Sequence, residues 1–180
     1  MYRDFQARLA RVQEPLKRRL KDNTIELAGV PVDTIRISYK KNDEGDITSR
    51  IIEKATVDQI IWPPLKNVPF RRLGKDGENG YKITSLVESA NDEKTAEIYK
   101  VVCTHGSKID VGDILIRVFL DDEMKEPIVL ALKVSEVTGD FGTYMLINQQ
   151  CNCVLETEDF DQKTLEIIGK MAERRLNLNF

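Results

Sequence analysis

No run of the 180-residue chain approaches the roughly 18 consecutive apolar residues of a membrane-spanning helix, so no membrane is expected among its partners. Its N-terminus alternates charged and apolar residues and carries no signal-peptide core. Histidine and tryptophan each occur once, and cysteine three times. An odd, sparse set of cysteines is not the framework of a small secreted scaffold, and free thiols in a reducing compartment are the expectation. Internal repeats and low-complexity tracts are missing as well. The one glycine-rich segment, Gly74-x-x-Gly77-x-x-Gly80, lacks the G-x-x-x-x-G-K-[ST] order of a phosphate loop and reads as a mobile surface loop, too rich in turn formers for any element. Asp121-Asp122-Glu123 lacks the alternate spacing of a calcium loop and reads as a solvated hairpin tip.

What remains is ordinary globular material. Hydrophobic residues make up 41%, enough for a core, and 32% are charged with both signs present. The length fits one domain, or one domain with extensions. A net charge of −3 gives no global attraction to nucleic acid. The distribution is uneven: residues 1–21 contain Arg3, Arg8, Arg11, Lys17, Arg18, Arg19 and Lys21 against Asp4 and Glu14.

Phe5, Leu9, Val12, Leu16 and Leu20 recur at spacings of four, three, four and four, the stripe of an amphipathic helix over residues 1–22. Its opposite face carries the arginines and lysines. Pro15 falls inside the stripe and either kinks this helix or starts a second one. Residues 23–160 then read as an antiparallel β domain. Thr24 to Leu27 suits a short strand, and Ile35, Ile37 and Tyr39 alternate with polar residues before a turn at Asn42 to Asp46 and a return strand, a long hairpin. Residues 55–62 suit either a strand or a helical turn. An extended, proline-rich and glycine-rich loop is expected at about 62–80, and a strand at Tyr81 to Val87. From Glu97 to Leu155 Val/Ile/Leu-rich runs follow one another with short turns, so consecutive strands pair antiparallel. Residues 161–180 close the chain as a helix with Asp161 as N-cap and Leu165, Ile168, Ala172 and Leu176 at helical spacing. The expected fold is therefore mainly β, a small antiparallel barrel or sandwich of six to nine strands with a basic N-terminal helix and a short C-terminal helix.

Candidate chemistry is thin. Cys103, His105, Cys151 and Cys153 form a valid tetrahedral zinc set, yet the favoured reading is buried thiols plus a turn histidine. A Cys103–His105 nucleophile lacks a third, orienting group. No cofactor is implied, and the chain is not expected to be an enzyme. Trp62, Pro63, Pro64, Phe70, Arg71 and Arg72 mix aromatics, prolines and arginines, types favoured at protein interfaces, with a stiff connection around a core Trp62 as the equal alternative. Arg3, Arg8, Arg11, Arg18 and Arg19 are candidates to face DNA phosphates, against the more ordinary reading of a solvated face.

The segments Ile109 to Arg117 and Ile128 to Gly139, with the following Asp140-Phe141-Gly142, give a pattern of V-G-D, apolar strand, acidic turn, apolar strand and T-G-D-F-G. This pattern, with the order of helix, hairpin, barrel and helix, resembles the head–tail connector or neck proteins of tailed bacteriophages, in particular the head-closure type. The resemblance implies a ring-forming structural protein of the virion, assembled in the host cytoplasm. Its partners would be further copies of itself, the portal and other neck or tail proteins, with DNA in the central channel. The runner-up expectations are a small-barrel nucleic-acid-binding module and a zinc-stabilised interaction domain.

Overall fold

The computed structural model describes residues 1–64, 69–78, 80–84, 97–123 and 125–177. Its elements run α1 (Tyr2–Ala28), β1 (Val30–Lys41), β2 (Ile47–Ile61), β3 (Arg71–Asp76), β4 (Gly80–Ile83), β5 (Tyr99–Cys103), β6 (Ile114–Leu120), β7 (Pro127–Phe141), β8 (Leu146–Leu155) and α2 (Gln162–Leu176). Six strands close on themselves in the order β7-β6-β1-β2-β5-β8, with β8 returning to β7, and the β3–β4 hairpin hangs from β7. All these pairings are antiparallel. The mainly β fold with a helix at each end is the one expected.

Closure divides the apolar residues into two cores. Val32, Ile60, Val101, Leu115, Leu130, Leu132, Cys151 and Cys153 come from all six strands and fill the barrel interior. On the outer face of β1, β6 and β7, Ile35, Ile114, Ile116, Val129 and Ala131 are covered by Ile168, Met171 and Ala172 of α2. Because both faces of β6 and of the first half of β7, Pro127 to Val134, are largely buried, these stretches read as near-continuous apolar runs. Asp161 caps α2 by accepting from the Thr164 N–H at 2.8 Å, and Asn177 ends it in the left-handed region.

Several expectations are corrected. Thr24 to Leu27 is helix, and α1 runs to Ala28 as one element with Pro15 inside it. Residues 55–61 continue β2, since they pair with β1 along its length. Much of residues 71–83 is not loop: β3 and β4 pair as a hairpin with Leu73 and Tyr81 buried beneath α2, Gly77 takes φ +73° near its apex, and Gly74 and Gly80 lie within the strands. The strand starting at Gly80 ends at Ile83, and residues 85–87 lie outside the described residues. Within the C-terminal helix segment, residues 178–180 also lie outside them. Lys108 to Asp113 is a turn, not strand, and β6 begins at Ile114. Sequential strands β6, β7 and β8 pair as expected, but β5 pairs with β2 and β8 and skips β6.

Candidate functional site: the outward face of the N-terminal helix

The helix α1 lies against β8, β2 and β5. Its contact face is made by Ala7, Ala10, Glu14, Arg18, Asp22 and Ile25, which are buried or half-buried. These positions recur at three, four, four, four and three residues, one side of a helix with 3.6 residues per turn. That side is polar at its centre. The Glu14 carboxylate accepts from the backbone N–H groups of Thr143 and Tyr144, the latter at 2.8 Å. Arg18 Nε donates to the Leu146 carbonyl at 2.8 Å, and the Arg11 guanidinium sits 5.3 Å from the Tyr144 ring centre. Asp22 accepts from the His105 backbone N–H and lies 2.6 Å from its Nδ1.

The barrel surface below explains this arrangement. On β8, Asn148, Gln150 and Asn152 alternate with inward-facing Gln149, Cys151 and Cys153, so the outer face of this strand is polar. The β7–β8 turn then presents its backbone donors to a carboxylate. Gly142 makes the approach possible, because a side chain there would run into the Glu14 carboxyl group. Burial at this contact pushes the Glu14 carboxyl up. The backbone donors of Tyr144, Thr143 and Met145 together outweigh that and hold it below the usual carboxylate range.

With its polar side held, α1 turns its apolar stripe to solvent. Phe5, Leu9, Val12, Leu16 and Leu20 are between 42 and 66% exposed. This inverts the usual arrangement, in which the apolar stripe of a helix faces the core. A row of adjacent large apolar side chains of this kind marks an interaction surface.

The five candidate arginines do not share one face. Arg11 and Arg18 lie towards the barrel, Arg18 half-buried and Arg11 exposed beside the Tyr144 ring, whereas Arg3, Arg8 and Arg19 are exposed away from it. Of the six interface candidates, the structure places Trp62 and Arg71 in the interior, as the alternative reading of a core Trp62 expected. Trp62 packs in the barrel core with Phe70 against it. The Arg71 guanidinium is buried, donating to the carbonyls of Glu156 and Glu158 and stacking 5.3 Å from Phe160. Arg72 pairs with Glu126 at 2.6 Å. Pro63 is half-buried, and Pro64 alone of the six is exposed.

Nor do the four soft ligands converge. Cys103, Cys151 and Cys153 lie in the barrel core, whereas His105 is outside, against Asp22. Hydrogen bonding to Cys151 and burial push the Cys103 thiol up, and burial pushes Cys153 up to about 12. Among the described residues, no group of three or more His, Cys, Asp or Glu side chains is arranged to hold a metal ion.

The V-G-D motif has a local structural role. Gly112 takes φ +88° at the turn before β6. The buried Asp113 carboxylate there accepts from the Asp110 N–H at 2.9 Å and from Arg36 Nε and Nη2 at 2.7 and 2.9 Å. This pairing joins β1 to the turn and raises the Arg36 pKa further. The sequence singled out neither Glu14 nor Gly142. The signal that locates them is the seven-residue step from Ala7 to Glu14 on the side opposite the stripe, matched to the polar alternation of β8. Comparison with protein-family models, curated proteins and solved structures finds no match to this chain.

Proposed function

We propose that this chain is a non-enzymatic, ring-forming assembly subunit, of the kind that forms the neck between head and tail in tailed bacteriophages and lines or seals the DNA channel. The observation that carries the reading is the outward apolar stripe of α1, held away from the barrel by the Glu14 clamp. The β1–β2 hairpin also supports it. Among the described residues, β1 pairs with β6 at Asp33 to Ile35 and β2 with β5 at Ile60 and Ile61, while the outer part of the hairpin pairs as a two-stranded ribbon. Such ribbons are marginal alone and gain from a neighbouring subunit. In this reading the partners are further copies of the chain, a portal ring and tail or neck proteins. Arg3, Arg8 and Arg19 would be the arginines available to DNA phosphates, with no base reading. The location is the virion, after assembly in the host cytoplasm.

Sedimentation and electron microscopy of the purified chain, alone and with a candidate portal ring, test this. Closed rings, or addition of the chain to the portal, are expected. A chain that joins no ring and turns over a substrate would overturn the assignment.

A further inference from the structure

We infer that α1 is a self-association helix, and that the α1 helices of two or more copies of this chain pack in parallel along one seam. The inference deepens the assembly reading and rests on it. Tyr2, Phe5, Leu9, Val12, Leu16, Leu20, Asn23 and Leu27 follow one another at three, four, three, four, four, three and four residues. At about 100° per residue these eight positions fall within an arc of roughly 80°, and the Glu14 side lies opposite. The apolar members are all more than 40% exposed, and Leu27 reaches 88%.

Three features select a second copy as the occupant. The seam is narrow: Gln6, Gln13, Lys17 and Thr24 flank it on one side and Arg8, Pro15, Arg19 and Glu26 on the other. A strip confined to such positions is a coiled-coil seam, whereas a helix lying in a lipid surface needs a broad apolar face. The flanks also suit parallel pairing. With neighbours offset by five residues, Arg8 meets Gln13 of the other copy and Arg19 meets Thr24, so no like charges oppose, whereas antiparallel pairing brings Arg8 towards Arg19. Asn23 falls on the seam, and in parallel register it meets its own counterpart, the side chain that fixes register in such pairs.

The clamp supplies the geometry. It sets the stripe outward along a 27-residue helix about 40 Å long, the length of seam a second copy can meet.

The test measures mass by sedimentation over a range of concentrations for the parent chain, the double variant Leu9→Glu/Leu16→Glu and the single variant Leu9→Cys. Both positions are exposed, so thermal unfolding and circular dichroism at low concentration should not change. The expected result is a concentration-dependent oligomer in the parent and a monomer in the double variant. Under mild oxidant Leu9→Cys should join two copies covalently, because the three native cysteines are buried and only a parallel register brings position 9 to itself. A parent chain that stays monomeric at high concentration overturns the inference. So does an oligomer that survives in the double variant, although the assembly reading then stands. An oligomer in which Leu9→Cys fails to cross-link overturns the parallel arrangement. Binding of the parent to anionic vesicles without self-association assigns the stripe to lipid and overturns it. A seam-dependent oligomer that joins no portal ring removes the neck reading and leaves this inference intact.

Discussion

The two helices lie on the same barrel and meet it in opposite ways. α2 covers the apolar outer face of β1, β6 and β7 with Ile168, Met171 and Ala172, so apolar surface meets apolar surface. α1 meets the barrel through polar contacts, Glu14 on the β7–β8 turn, Arg18 on the Leu146 carbonyl and Asp22 on His105, and leaves its apolar stripe outside. Both sequences carry helical periodicity. What separates them is the surface each strand turns outward. An amphipathic pattern says that a helix has an apolar side; only the partner surface decides whether that side is the one buried.

The sharpest way to break the contrast is to truncate each helix at its apolar side. Ile168→Ala empties a site with no exposure and should cost about 2–5 kcal/mol, a fall in Tm on the order of 10 °C by thermal unfolding. A smaller effect is expected at the α1 clamp. Glu14→Gln should leave barrel unfolding almost unchanged while amide exchange in α1 rises, because the charged acceptor for Thr143 and Tyr144 is lost. The clamp should respond to acid in the same direction. With the folded carboxyl held below its ordinary value of 4.5, the contribution is fully present above that pH and is lost as pH falls through the depressed value. Protection of the α1 amides, corrected for the intrinsic pH dependence of exchange, should therefore fall on acidification before the barrel signal changes.

Next in size is Tyr81→Phe, which removes the 2.5 Å hydrogen bond from the Tyr81 hydroxyl to Glu173 on α2 and should cost about 1 kcal/mol. That bond, helped by burial, raises the phenol to about 12, so its stabilisation is present below pH 10 and disappears as pH rises through 12. Alkaline difference absorbance should show two tyrosines titrating late, Tyr81 and Tyr99, and one of these should disappear in Tyr81→Phe. The smallest effect is expected at Leu16→Ala, within about 0.5 kcal/mol for the dilute monomer, since this residue is already exposed.

Local patterns carried much of the fold into the sequence. The β1–β2 turn is legible because Asn42 Oδ1 accepts from the N–H groups of Glu44 and Asp46, an interaction made within five residues. The same holds for Asp161 capping α2. Where the reading failed, distant contacts decided. The β3–β4 hairpin is glycine-rich and polar, and becomes a strand pair because Leu73 and Tyr81 are buried beneath a helix about ninety residues further on. Arg71 resembled an interface anchor, but its hydrogen bonds go to carbonyls after β8. The helical stripe was visible at once, while its outward orientation depends on the alternation of β8 and the backbone of a turn near residue 143. Two of the five arginines were lost to the barrel for the same reason.

The clamp also limits how the length of this chain can change. Ile25, buried near the end of α1, and Glu14, eleven residues earlier, are both fixed to the barrel, and eleven residues make just over three whole turns. Inserting one residue between them would swing Glu14 by about 100°, taking the carboxylate off the β7–β8 turn and carrying the stripe out of line. Insertions and deletions inside this stretch are therefore permitted only in steps close to whole turns, with seven residues the smallest that also keeps the stripe in phase, whereas residues before Phe5 are free of the constraint.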